Sequence, residues 1–199
     1  VISNISHLAI AGAAQAGYPV VGIGSLSWDR VLEPFVQDHS PAQLSILETI
    51  RNGYARADYI IRLHPGVEMP AFPSMVDVGP SVPLMKLTSH DLRKIMRVRE
   101  NELIVLIALG GVPLTSLPLK QMESMAGFQF LVDDLPPSLS YTRVHSLKNL
   151  AIPFSEISKQ VDIIMTKPGY GTVMAAVHSG IALVYVRRGN FIDEQGLVD

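Results

Sequence analysis

Two glycine clusters stand where apolar runs end: Gly110-Gly111 after LIVLIAL, and Lys167-Pro168-Gly169-Tyr170-Gly171-Thr172 after VDIIMT. Each run is apolar enough to be a buried strand, and backbone without side chains lets an anion reach the amide groups. Beyond the second cluster, Val173, Ala176 and Val177 follow helical spacing, with Thr172 placed to cap the helix and Gly180 to close it. The amino terminus of such a helix favours a phosphate through its unpaired N–H groups and its dipole, and Lys167 adds positive charge. For a lone G-x-G the alternative is a tight strand-to-helix turn that uses glycine for its own geometry. Arg187 and Arg188 follow the next apolar run and read either as a solvated pair or, beside a phosphate loop, as a pair with at least one member facing the ligand.

A second group, Ser27-Trp28-Asp29, follows the apolar stretch Val20 to Gly24. Trp28, the sole tryptophan, suits sugar stacking or an ordinary core or interface position. Asp29 suits a general base on a hydroxyl, or the cap of a helix starting near Arg30, and the cap is the preferred reading. His7, His64 and His145 lie beside apolar segments without ligand-like spacing, so structural roles are expected and no metal site is predicted.

The elements that must position these residues alternate. Helical spacing over residues 5 to 16 leads to a strand at Val20 to Ile23, and a helix over Pro41 to Arg56 leads to a strand at Asp58 to Leu63. From His64 to Pro83 the texture becomes proline-rich and reads as a linker. A helix over Ser89 to Glu100 then precedes the strand Leu103 to Leu109, whose unbroken apolar character fits a strand covered on both faces. A short helix around Leu119, Met122 and Ala126 precedes a strand at Phe128 to Val132. Lys148 to Ile152 is a further strand candidate, Phe154 to Lys159 a short helix, and Val161 to Thr166 and Ile181 to Val186 are strands. Such alternation predicts α/β architecture with mainly parallel sheets, in which ligands sit at strand carboxyl ends.

Charge excludes one class of partner. With 16 Lys+Arg against 18 Asp+Glu and no basic run, nothing points to nucleic acid. No apolar stretch approaches the ~20 residues of a membrane-spanning helix, and the opening lacks the basic region of a signal peptide, so a cytoplasmic protein is expected. The absence of cysteine removes disulfides and thiolate metal sites. Val1 falls in what reads as a strand and Asp199 in what reads as a helix, so a chain incomplete at both ends is expected.

The arrangement VDIIMTKPGYGTVMAAVHSGIALVYVRRGNFIDEQGL resembles the donor-side half of B-type-fold glycosyltransferases, especially the group of the peptidoglycan N-acetylglucosaminyltransferase. The stretches TKPGYGTV, VRRGNFIDEQGL, VISNISHLAIAGAAQAGYPVVGIGSLSWD and VDVGPSVP are similar to a branch of predicted glycosyltransferases that includes the leading region of L-arabinokinases. The resemblance implies two Rossmann-like domains. Residues 1–80 would be the trailing part of an acceptor-side domain with its linker, and 81–199 a donor-binding domain. It implies that Gly110 and Gly111 face the donor phosphates, that Lys167 and Gly169, Tyr170, Gly171 and Thr172 form a second phosphate loop, and that Arg188, Asp193, Glu194 and Gln195 face the donor sugar. Ser27, Trp28 and Asp29 would lie on the acceptor side of a cleft. One departure stands out: the family's ribose-gripping carboxylate is replaced by Ala175.

The implied activity is transfer of a sugar from a nucleotide sugar, with a UDP-sugar as the expected donor, to an acceptor hydroxyl, without metal or other cofactor. No catalytic residue is assigned. A sugar-nucleotide epimerase shares the two-domain fold, and a non-catalytic nucleotide-sugar-binding or regulatory module is a further alternative.

Overall fold

The computed structural model describes residues 1–36, 40–82, 91–109, 117–136, 138–189, 191–194 and 197. The chain divides into two compact units, Val1–Ser81 with Arg188–Asp199, and Val82–Arg187. Each has its own parallel sheet.

In the first unit β1 (Ile2–Ser3), β2 (Val21–Gly24), β3 (Tyr59–Leu63) and β4 (Met75–Val78) pair in that order, all parallel. Helices α1 (His7–Gln15), α2 (Trp28–Leu32), extended by a 3-10 turn Glu33–Phe35, and α3 (Pro41–Tyr54) connect them. Strand β4 lies inside the stretch that reads as a linker. Prolines flank this strand without interrupting it, and β4 pairs only with β3, an edge position that tolerates such neighbours. Arg62 of β3 faces Asp77 of β4 in register and makes two hydrogen bonds to its carboxylate, at 2.6 and 2.9 Å, while also pairing with Glu68. That guanidinium, with His64 adding a smaller share, holds the Asp77 carboxyl down at about 2.

The core of this unit is built around Tyr54, which is fully buried and stacked on Phe72 with ring centroids 4.6 Å apart. Its hydroxyl donates to the Ile5 carbonyl at 2.8 Å and accepts from the Trp28 amide at 3.2 Å. Both polar needs of the buried phenol are therefore met. Burial is the main reason its pKa is pushed up to about 12.

In the second unit, β5 (Leu103–Ala108), β6 (Phe128–Val132), β7 (Val144–Ser146), β8 (Ile163–Thr166) and β9 (Ala182–Tyr185) form an all-parallel sheet in the order β7-β6-β5-β8-β9. The helices are α4 (Leu92–Met96), α5 (Leu119–Ser124), α6 (Phe154–Ile157) and α7 (Tyr170–Ser179). Alternate β5 residues serve opposite faces. Ile104 and Leu106 pack with Leu92, Ile157, Ile164 and Ala176, whereas Val105 and Ile107 pack with Met122, Phe130 and Val132.

The strand expected at Lys148 to Ile152 is instead β7, a few residues earlier, and a 3-10 turn occupies Leu147–Leu150. The reason is a polar network that disguises β7. Buried Glu102 accepts from Gln129 at 3.2 Å and Arg143 at 3.1 Å, and the Gln129 carbonyl oxygen lies 2.8 Å from His145 Nε2. Arg143 and His145 thus read as loop residues in sequence yet belong to a strand pairing. Desolvation holds the His145 pKa below its usual value, partly opposed by Glu123.

The two sheets share a device at their amino ends. Asp58, just before β3, donates its amide to the Val20 carbonyl at 2.9 Å and accepts the Val20 amide on its carboxylate at 2.7 Å. Asp162, just before β8, does the same with Ile104, at 3.0 and 2.7 Å, and also accepts from Arg93 at 2.6 Å. In each unit one aspartate fixes the register of a parallel strand pair.

Candidate functional site

The order β7-β6-β5-β8-β9 means that the chain builds outward from β5 to one side and then crosses to the other. The crossover point lies between β5 and β8, and a ligand crevice in such sheets opens at the carboxyl ends of those two strands. Thr166 ends β8 there and is almost fully buried. Its hydroxyl lies 2.9 Å from the Ala108 carbonyl at the end of β5 and 2.9 Å from the Lys167 carbonyl. A strand-terminal threonine thereby ties the two edges of the crevice together.

The chain then turns through buried Pro168, the Gly169 amide donating to the Lys167 carbonyl at 2.8 Å across it. Gly169, at φ −102°, is the N-cap of α7. Thr172 is therefore inside the helix and not its cap, and its amide is used on the Gly169 carbonyl at 3.1 Å. Gly171, in the first turn, is exposed, and its N–H belongs to the set that a helix cannot satisfy internally. Gly180 closes the helix at φ 65°, the Ile181 amide returning to the Ala176 carbonyl at 3.0 Å.

Neither site glycine is demanded by the protein itself. Both lack the positive φ that would favour glycine, and a Cβ built on either meets no atom of the described residues within 4 Å. By contrast, a Cβ on Gly22 of β2 would come within 2.9 Å of the Phe72 ring. Among the described residues, neither backbone conformation nor crowding requires glycine at 169 or 171. Lys167 is exposed beside it, and Ala175 is half-buried further along α7. Gly110 and Gly111, expected to face the same crevice from β5, lie outside the described residues, as does Gln195.

Arg188 and Glu194 are engaged with one another. Both oxygens of the nearly fully buried Glu194 carboxylate are used, one by the Arg188 amide at 2.8 Å and the other by its guanidinium, which also stacks 3.7 Å from the Phe191 ring centroid. This clasp, with Asp193 in its 3-10 turn Ile192–Glu194, belongs to the first unit although the sequence pattern groups it with the donor half.

Ser27, Trp28 and Asp29 occupy the start of α2, just beyond the carboxyl end of β2. Ser27, not Asp29, holds the N-cap position. Asp29 is fully buried, accepts no hydrogen bond from the described residues, and has Arg51 Nε 3.6 Å away. Trp28 is 47% exposed, which removes it from the core. The sequence reading missed Thr166 and Arg51. Thr166 was visible as a polar residue closing a buried strand, whereas nothing local marks Arg51. Among the described residues no group of three His, Asp or Glu side chains is placed to hold a metal ion, and no helix is long and apolar enough to cross a membrane.

No protein-family model matches the chain. It is 29% identical over 200 residues to L-arabinokinase of Arabidopsis thaliana, an alignment that takes in 98% of this chain and 19% of that protein. Among solved structures, it is similar to a UDP-glucosyltransferase from Polygonum tinctorium capable of glucosylating indoxyl, with TM-score 0.62, 13% identity, and coverage of 92% of this chain and 55% of that one. A Phytolacca americana UGT2 complexed with UDP-2-fluoro-glucose and pterostilbene gives TM-score 0.60 at 15% identity, covering 98% and 58%. The glycotransferase of kitacinnamycin gives TM-score 0.60 at 14% identity, covering 95% and 57%. The chain thus has the B-type glycosyltransferase fold and spans a little over half the length of these structures.

Proposed function

From that fold, we propose that the chain is part of a nucleotide-sugar-dependent glycosyltransferase, with the diphosphate of a UDP-sugar at Gly169 to Thr172. The observation that carries the reading is that Gly169 and Gly171 stand at the crossover of β5 and β8 with no atom of the described residues within 4 Å of where a Cβ would be. A diphosphate there meets first-turn amides, the positive end of α7 and the Lys167 charge, which together stabilise the leaving nucleotide without a metal. An acceptor hydroxyl would attack the anomeric carbon of the donor sugar, and the bond to the diphosphate oxygen would break. UDP-sugar complexes of the same fold support the nucleotide assignment. A cytoplasmic site of action is part of the same proposal.

Calorimetry with UDP tests it on the intact chain. A Gly171→Val replacement keeps ordinary backbone geometry, and its Cβ meets no atom of the described residues within 4 Å, so the variant is expected to fold. Its UDP affinity is expected to fall about tenfold or more, since a side chain would occupy the volume in which amides must reach the phosphate. Unchanged affinity in the folded variant would place the nucleotide elsewhere.

A further inference from the structure

Ile5 holds φ at 50°, in the left-handed region, two residues after the end of β1. For a β-branched residue this is a genuine outlier, and such a conformation persists only where the surroundings impose it. Three elements do so here. The Ile5 side chain fills the room left by Gly24 at the end of β2, where a Cβ would come within 2.6 Å of its Cγ2. The Ile5 amide turns back onto the Ser3 carbonyl of β1 at 2.9 Å, and its carbonyl accepts from the Tyr54 hydroxyl of α3 at 2.8 Å. The same phenol oxygen accepts from the amide of Trp28, the first residue of α2, at 3.2 Å. One oxygen thus joins the loop that follows β1 to the loop that follows β2. That oxygen has little freedom of its own. Tyr54 ends α3 with its ring stacked on Phe72, centroids 4.6 Å apart, and met edge-on by the His7 ring at 6.2 Å. Beside it, Gly53 lets the start of α1 approach so closely that a Cβ would lie 2.9 Å from the His7 carbonyl oxygen. Packing therefore fixes the phenol independently of either hydrogen bond, and the loops bound to it take their position from it.

We propose that Tyr54 is a positioning residue, whose hydroxyl sets the loops after β1 and β2 in one arrangement at the carboxyl edge of the first sheet. Ligands of parallel sheets meet that edge, and loops already ordered there spare the ordering cost that binding otherwise carries. The strained Ile5 is the local mark of a loop held in place from outside. This role is independent of the glycosyltransferase reading, because it concerns the loops and not the identity of what meets them.

The test is NMR on the full chain, wild type and Tyr54→Phe, a variant that keeps the ring and its packing and removes only the oxygen. In the wild type, Ile5 should show the intense cross-peak between its own amide and Hα protons that marks positive φ, and the buried Tyr54 hydroxyl proton should be visible with a cross-peak to the Trp28 amide. In the variant the Ile5 cross-peak should weaken toward that of an ordinary residue. Hydrogen exchange at the Trp28 amide should accelerate about tenfold more than at Ile60, the size of effect expected for one lost hydrogen bond. Ile60 is the internal standard because it is fully buried in β3 and its amide is bonded to the Ser74 carbonyl at 2.9 Å. A purely global loss of stability would accelerate both amides alike, and that result overturns the proposal. So does an Ile5 cross-peak of wild-type intensity in the folded variant. Absence of either wild-type signal overturns it as well, whether or not the variant folds.

Discussion

Gly171 sits in the first turn of α7 at a backbone conformation any residue adopts, so its glycine costs stability without easing strain. Gly171→Ala should therefore stabilise the fold by about 0.5–1 kcal/mol, through lower unfolded-state entropy, while weakening UDP binding. Urea denaturation and calorimetry on one sample would read the two opposite signs. A rise in stability with unaltered UDP affinity would leave the glycine without a ligand to explain it. Asp29 makes a related point about context. Its position invites a cap, yet Ser27 takes that place and the carboxylate is sealed among α2, α3 and Arg51. Which residue caps a helix depends on where the chain leaves the extended conformation, and several polar neighbours compete for that place.

At the level of elements, the aspartate in the VDIIMT signature belongs to the opposite end of β8 from the proposed phosphate site. It organises the strand pair that carries the site. Asp162→Ala would leave the Ile104 amide and Nη2 of Arg93 without their acceptor, and a loss of about 2–3 kcal/mol is expected for a charged hydrogen-bond acceptor of this kind. Asp162→Asn, which keeps an acceptor for Ile104, should lose less. Equal urea midpoints for the alanine variant and the wild type would show that the β5–β8 register is set elsewhere. Asp58 holds β2 and β3 in the same way, so a short acidic residue just before an apolar run marks strand entry in both units. Strand β7 escaped that kind of reading because its His145 is held by Gln129 of β6, and Arg143 just before it by Glu102 just before β5.

For the whole molecule, acid sensitivity has two windows, one from His145 and one from depressed carboxylates, of which Asp77 is an example in the first unit. His145, in the second unit, is held below 6.5 by burial, so the unfolded chain takes up a proton that the folded chain resists. Its stabilising contribution is present above pH 6.5 and declines as pH falls below that value. Asp77, in the first unit, is depressed from 3.8 to about 2, so its contribution holds above pH 3.8 and is lost as pH drops toward 2. Urea midpoints measured from pH 8 to pH 3 should fall in both ranges. His145→Gln should flatten the decline between pH 6.5 and 5 and leave the lower one in place, and an unchanged profile would assign the upper window to another histidine. The period of the apolar runs determined the parallel α/β class, and the glycines and proline after VDIIMT determined where a strand would open into a helix, because these are local consequences of side-chain spacing and backbone freedom. Tertiary structure alone decided that β8 lies beside β5, that Thr166 closes the seam between them across 58 residues, and that the segment from Arg188 joins the first unit. Hydrogen bonds between distant strands and the sharing of buried charge leave no mark in local sequence, since either partner alone looks like an ordinary polar residue.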